Sequence, residues 1–255
     1  MGKFDGVLLC TDLDGTYTEG YDVCGDNLAA VNYFRREGGL FTVATGRLPP
    51  YLPGFGDALP TDVPVITHNG AVIYDTKNEK MLYDRPLFNL HGEVRETLRY
   101  IKTLDVTDHI DMNAALTWVP EEQALREDDT TVYYKGVVPC RSVEDALRLR
   151  EALVARYGKA YCVFRAWNVG VEFLSPDTNK GTALRTLVGM LGKCVKRTVA
   201  VGDFENDAYM LREADLGVAV KNGSPEALTA ADVTVCDFRE GAVAEVIRLL
   251  EKEFA

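Results

Sequence analysis

Val7-Leu8-Leu9-Cys10-Thr11-Asp12-Leu13-Asp14-Gly15-Thr16 decides how the chain is read. Val7 to Cys10 is a continuous apolar run, the pattern of a strand buried on both faces of a parallel sheet. Two aspartates follow directly, and in open α/β sheets ligands bind at the carboxyl ends of strands. One carboxylate there can act as nucleophile or metal ligand while the second moves a proton. Taken alone, the same residues equally describe an Asp-rich turn in which Gly15 supplies positive φ.

The flanking sequence repeats the strand-then-helix pattern. Asp26 is placed to cap a helix that turns Leu28, Val31 and Phe34 inward and stops at Gly38-Gly39. Leu40 to Ala44 reads as a second buried strand ending at Thr45-Gly46-Arg47, and Val63 to Thr67 as a third. The turn pair Asn69-Gly70 and a further strand, Ala71 to Tyr74, come next. In the last third, Leu184, Leu187, Val188 and Leu191 have helix-face spacing. Thr198 to Val201, Leu216 to Val220 and Val233 to Val235 read as strands, and Glu240 to Glu253 as a closing amphipathic helix. Strands alternating with helices predict a parallel α/β sheet of the doubly wound, Rossmann-like kind.

The middle reads differently. Two helix patterns, Glu93 to Leu104 and Ser142 to Tyr157, sit among strand-like stretches at Leu116 to Val119, Thr131 to Val138, Tyr161 to Trp167 and Val171 to Leu174. Successive strands without intervening helices predict an α+β module, with Pro86 and Pro176 near its ends. Residues 1–84 and 176–255 are thus expected to form one core, and 85–175 an inserted domain. Glu121-Glu122 and Glu127-Asp128-Asp129 read as a solvated loop of that insert.

Composition narrows the function classes. With 255 residues and 47% apolar content the chain can bury a sizeable core. A net charge of −11 argues against nucleic acid, whose binding rests on basic residues neutralising phosphates, and against a polybasic membrane contact. The six cysteines lack a C-x-x-C pair and read as reduced, mostly buried thiols. No signal-peptide pattern and no long apolar span is present, so a cytoplasmic location is expected.

Three further elements carry chemistry. Gly202-Asp203-Phe204-Glu205-Asn206-Asp207 follows an apolar strand as Asp12 does, although Asn206 also suits plain helix capping. Two strand-end carboxylate clusters on one sheet converge, and such hard oxygen ligands call for a cation, Mg2+ rather than zinc. Lys180 lies in the opening turn of a helix, where a cation opposes the dipole at a cost of ~0.3–1 kcal/mol. That placement suits a lysine that faces an anion such as phosphate together with the helix end, although a solvated lysine has the same local sequence. Thr45, Gly46 and Arg47 offer a hydroxyl, an approachable backbone and a cation for phosphate oxygens; Arg47 equally suits a surface ion pair.

In order and content, these four elements resemble the haloacid dehalogenase superfamily of aspartate-nucleophile phosphatases. The insert resembles the large C2-type cap of the type IIB, Cof-like branch. Asn69-Gly70-Ala71, Glu172 and Asp237-Phe238-Arg239-Glu240-Gly241-Ala242-Val243 extend the resemblance along nearly the whole chain. It implies that Asp12 attacks phosphorus to form an aspartyl-phosphate and that Asp14 protonates the leaving oxygen and then activates water. It implies that Mg2+ is held by Asp12, the Asp14 carbonyl and Asp203. Thr45, Gly46 and Lys180 would hold phosphoryl oxygens with Asn206 nearby, Arg47 would join the substrate-binding set, and Asp207 would orient Lys180. The implied activity is phosphatase action on small phosphate esters, sugar phosphates foremost. A phosphomutase of the same branch is the alternative, and a phospho-accepting signalling domain or a silent binding protein lies further off. Oligomeric state and substrate identity are not legible. His68, His91 and His109 have no spacing for metal or triad work, and His68 reads as a loop residue at the sheet edge. Trp118 and Trp167 read as packing residues, and Lys135 and Arg165 either face an anion or line an exposed strand face.

Overall fold

The opening apolar run forms a strand buried along its whole length in the computed structural model of the protein, which describes residues 2–87 and 91–253. From the N-terminus come β1 (Val7–Thr11), the hairpin arms β2 (Thr18–Glu19) and β3 (Asp22–Val23), α1 (Asn27–Arg36) and β4 (Leu40–Val43). Next are β5 (Val65–Thr67), β6 (Val72–Asp75) and β7 (Lys80–Asp84). The middle holds α2 (His91–Thr103), β8 (Asp111–Asn113), β9 (Trp118–Pro120), α3 (Glu121–Ala124), β10 (Lys135–Pro139), α4 (Val143–Tyr157), β11 (Cys162–Trp167) and β12 (Gly170–Leu174). The chain then continues through α5 (Lys180–Leu191), β13 (Arg197–Gly202), α6 (Ala208–Glu213), β14 (Leu216–Val220), α7 (Pro225–Ala230), β15 (Val233–Val235) and α8 (Ala242–Glu253).

Two compact units result, Met1–Tyr83 with Lys180–Ala255, and Asp84–Asn179. In the first, a parallel sheet has the order β15-β14-β13-β1-β4. Alternate residues of β1 serve different layers. Val7 and Leu9 join Val31 and Phe34 of α1 and Val246 and Ile247 of α8, whereas Leu8 and Cys10 join Leu184 and Leu187 of α5 and Met210 of α6. Helices therefore cover both faces, as a parallel sheet requires. The sheet is an α/β Rossmann-like core, and it brings the C-terminal ends of β1 and β13 side by side, Thr11 lying opposite Val201.

The second unit is an α+β module with the antiparallel order β11-β12-β10-β8-β9. Helices α2 and α4 pack Val94, Leu98, Leu149 and Leu153 against Met112, Val138, Val171 and Phe173 of the sheet. Its β8 was not expected from the sequence, because Asp111-Met112-Asn113 offers only one apolar residue to read. Thr131 to Tyr134, expected as strand, lies outside β10.

Several expectations need correction. Glu121 is buried rather than solvated, because Lys102 reaches it at 2.6 Å. His68 lies in the connection between β5 and β6, as expected, but is fully buried, with φ of 53°. Trp118 and Trp167 are substantially exposed. Lys135 and Arg165 are buried, so neither lines an exposed strand face, and Lys135 pairs with Glu172 at 2.7 Å. Asp26 stands at the α1 N-cap but its side chain makes no capping bond. Cys194 is exposed, Cys162 and Cys236 are half-buried, and all six cysteines are free thiols. The His91 side chain lies outside the described residues. Among the described residues no helix is long and apolar enough to cross a membrane.

Candidate active site

Backbone pairing delivers the carboxylates. The amide of Asp12 donates to the Val201 carbonyl at 2.8 Å, which extends the β1–β13 register one residue past β1. Asp12 is thereby held beside the loop that begins at Asp203. Gly15 has φ of 87°, and a Cβ built there would lie 2.6 Å from Asp203 Oδ2, so only glycine lets the two loops approach this closely. Thr16 Oγ1 donates to Asp203 Oδ1 across the same junction at 3.3 Å.

Lys180, the first residue of α5, is fully buried and donates to Asp12 Oδ1 and to Asp207 Oδ1, each at 2.5 Å. The other Asp207 oxygen accepts from the amides of Asp203 and Phe204 at 3.0 and 3.1 Å. Asp207 therefore fixes both the lysine and the loop that carries Asp203. The dipole cost at Lys180 is offset by these two buried carboxylates.

Electrostatics follow from burial and crowding. Burial pushes the Asp12 carboxyl up to about 8; Lys180 opposes that shift, and Asp207 and Asp14 add to it. Burial likewise raises Asp203, with Asp12 and Asp207 contributing and Lys180 opposing. At Lys180 burial works against the ammonium, but Asp12 and Asp207 outweigh it and hold its pKa above the ordinary lysine value. Asp12, Asp203 and Asp207 each place a carboxylate oxygen within 4.8 Å of the others. Three acidic side chains around one ammonium leave an excess of negative charge, which a hard, oxygen-seeking divalent cation fits. Asp207 is already engaged through both oxygens, so Asp12 and Asp203 are the side chains with room for such an ion.

The second phosphate-type element sits at the end of β4. Thr45 Oγ1 accepts from the Arg47 amide at 3.1 Å, and a Cβ on Gly46 would lie 3.0 Å from Asn69 Nδ2. Asn69 also donates its amide to the Thr45 carbonyl at 2.9 Å and accepts from Asn206 Nδ2 at 3.0 Å. It thus links the Thr45 loop to the Asn206 loop. Asn69 reaches this place through consecutive left-handed residues, His68 at φ 53° and itself at φ 54°. Strain of this kind in non-glycine residues concentrates at functional sites. In sequence Asn69-Gly70 has only the signature of a turn, although an Asn at a strand end tolerates this backbone. Arg47 lies away from Lys180's carboxylates: its guanidinium grips Asp14 through Nε–Oδ2 at 2.9 Å and Nη2–Oδ1 at 2.6 Å.

A family model of haloacid dehalogenase-like hydrolases matches residues 9–135 and 117–247. The phosphoglycolate phosphatase of Methanosarcina acetivorans is 28% identical over 251 residues, covering 98% of this chain and 97% of its own. The 5-amino-6-(5-phospho-D-ribitylamino)uracil phosphatase YitU of Bacillus subtilis is 25% identical over 267 residues, covering 94% and 96%. Among solved structures, a haloacid dehalogenase-like hydrolase from B. subtilis shares the fold with a TM-score of 0.80 at 20% identity, over 94% of this chain and 98% of that one. The subclass IIB sugar phosphatase BT4131 does so with a TM-score of 0.78 at 18% identity, over 97% and 99%. With its family model matched across both ends of the core and through the insert, the chain belongs to the haloacid dehalogenase-like hydrolases.

Proposed function

We propose that this protein is a cytoplasmic, Mg2+-dependent phosphatase of small phosphorylated metabolites, sugar phosphates foremost, working through an aspartyl-phosphate. The observation that carries the reading is Asp12 just past the end of β1, 2.5 Å from a fully buried lysine and clustered with Asp203. Phosphatases among the relatives and a sugar phosphatase among the fold neighbours support it. The Asp84–Asn179 unit is read as the C2-type cap of the type IIB branch.

In this reading an Asp12 oxygen bonds to phosphorus while the bond to the leaving oxygen breaks. The leaving oxygen keeps that electron pair and takes a proton from the Asp14 carboxyl. A water oxygen then bonds to phosphorus and gives a proton to the Asp14 carboxylate. The bond to Asp12 breaks with its electron pair returning to Asp12, releasing inorganic phosphate. Thr45, the Gly46 backbone and Lys180 hold phosphoryl oxygens, Asn206 stands beside the transferred group, and Asp207 keeps Lys180 oriented. The Arg47 guanidinium is bonded twice to Asp14. Asp12, Asp203 and the Asp14 carbonyl would hold Mg2+, which when bound would neutralise charge between a carboxylate nucleophile and a dianionic ester.

The decisive experiment replaces Asp12 by Asn and follows phosphate release from nitrophenyl phosphate and a panel of sugar phosphates with Mg2+. Loss of turnover by several orders of magnitude is expected, and activity near that of the wild type would sink the mechanism.

A further inference from the structure

Arg47 is held more firmly than a substrate ligand waiting for its anion needs to be. Besides its fork on Asp14, Nη2 donates to the Gly20 carbonyl at 2.8 Å. The guanidinium lies 4.6 Å from the Tyr21 ring centre and 5.0 Å from that of Phe55. The two rings pack against each other with centroids 4.8 Å apart. Gly54 makes room for them, since a Cβ there would meet Tyr21 at 2.6 Å. The Arg47 backbone is also fixed, its amide bonded to Thr45 Oγ1 and its carbonyl accepting from the His68 amide at 3.3 Å. Asp14, in contrast, has a side chain that is 49% exposed. A carboxylate so exposed rotates freely about two bonds unless something holds both oxygens, and a guanidinium fork does that where a lysine cannot.

We infer that Arg47 is a positioning residue for Asp14, clamped by Tyr21 and Phe55 so that the proton-transferring carboxylate stays aimed, and is not a ligand of the phosphoryl group. The inference rests on the phosphatase reading, in which Asp14 gives its proton to the leaving oxygen and later takes one from water. A guanidinium turned to grip a phosphate with its Nε–Nη2 edge would have to give up both Asp14 oxygens and the Gly20 carbonyl.

Proton donation matters most when the leaving group is a poor one, which supplies a readout that a merely structural role would not move. Turnover is measured on dinitrophenyl, nitrophenyl, phenyl and glycerol phosphates, for the wild type, Arg47→Ala, Arg47→Lys and Tyr21→Leu, with inhibition by inorganic phosphate alongside. Arg47→Ala is expected to lower kcat on glycerol phosphate by about 10²-fold, the lower bound of what a positioned acid contributes. The loss on dinitrophenyl phosphate stays within a few-fold, and inhibition by inorganic phosphate keeps its strength. Arg47→Lys restores only part of the loss, and Tyr21→Leu reproduces the same leaving-group trend more weakly. Equal losses on every ester together with weakened phosphate inhibition would make Arg47 a phosphate ligand and overturn the inference. Wild-type turnover that Asp12→Asn abolishes but Arg47→Ala leaves intact on glycerol phosphate would overturn it while the phosphatase reading stands. A wild type inert toward the whole series would overturn both.

Discussion

Removing the ammonium of Lys180 should separate the energetic logic of this site from that of an ordinary ion pair. An exposed pair is worth at most about 1 kcal/mol. Lys180 is fully buried and touches Asp12 and Asp207 at 2.5 Å each, so Lys180→Met strands carboxylates that have no water to turn to. Breaking a buried pair from one side costs roughly 3–5 kcal/mol. At ~2–4 °C per kcal/mol for a chain of this size, the melting temperature of the metal-free protein should fall by about 10 °C. The opposite substitution has the opposite sign. Asp12→Asn removes one charge from a cluster of three carboxylates around one ammonium, and Lys180 keeps Asp207, so stability without metal should hold or rise. The assay is thermal and urea unfolding at pH 8 in excess chelator, followed by far-ultraviolet circular dichroism. A Lys180→Met protein within ~0.5 kcal/mol of the wild type, which is the scatter of ordinary surface substitutions, would refute the reasoning. So would a loss for Asp12→Asn as large as that for Lys180→Met.

The pH dependence follows from the same cluster. Asp12 is raised from 3.8 to about 8 by burial, so the contribution of its bound proton to stability is complete below about pH 4 and is lost as pH rises through about 8. Melting of the metal-free protein should therefore decline between pH 6 and pH 9, and added Mg2+ should raise the melting temperature more at the upper end; a flat profile with chelator contradicts this. In the inserted unit, Lys135 and Glu172 form a pair 2.7 Å apart with side chains 1% and 3% exposed. Lys135→Met should cost roughly 3–5 kcal/mol in urea unfolding, and adding Glu172→Leu should recover most of it, because both charges then leave the interior together.

The parts of this molecule that the sequence discloses are those whose signal is local. Four apolar residues followed by Asp12 mark a buried strand and its carboxyl end, and the structure buries every residue of Val7–Thr11. Lys180 is conspicuous because a cation at a helix start needs an anionic reason, which Asp12 and Asp207 supply in the fold. What stayed hidden depends on partners distant in the chain. Arg47 could be read as phosphate ligand or ion-pair member because Asp14 is 33 residues away, and only folding puts the two side chains together. Glu121 reads as one more acidic residue until Lys102 covers it. Asn69 joins the Thr45 and Asn206 loops through a left-handed backbone that its own sequence permits but does not demand. Asp111–Asn113 becomes a strand because β10 pairs with it, not through any periodicity of its own.

The arrangement of cations also bears on how an acidic protein could take up a phosphate ester. The chain carries a net charge of −11, and the two basic residues described at its site are both engaged by carboxylates. Lys180 is divided between two carboxylates, and Arg47 is spent on a third. With Asp203 counted, four carboxyl groups face two basic groups, a formal excess of acid before any ester arrives. A dianion entering such a site meets repulsion at short range, where burial removes the screening that water would provide. In the proposed reading, attraction would come from a cation held by Asp12 and Asp203. Burial raises Asp12 far above an ordinary carboxyl group, and the neighbouring Asp207 and Asp14 add to that shift. The acidic cluster and its buried lysine are one piece of electrostatics: the crowding among Asp12, Asp203 and Asp207 is what a divalent ion would relieve, and such an ion, binding the folded state alone, would stabilise it.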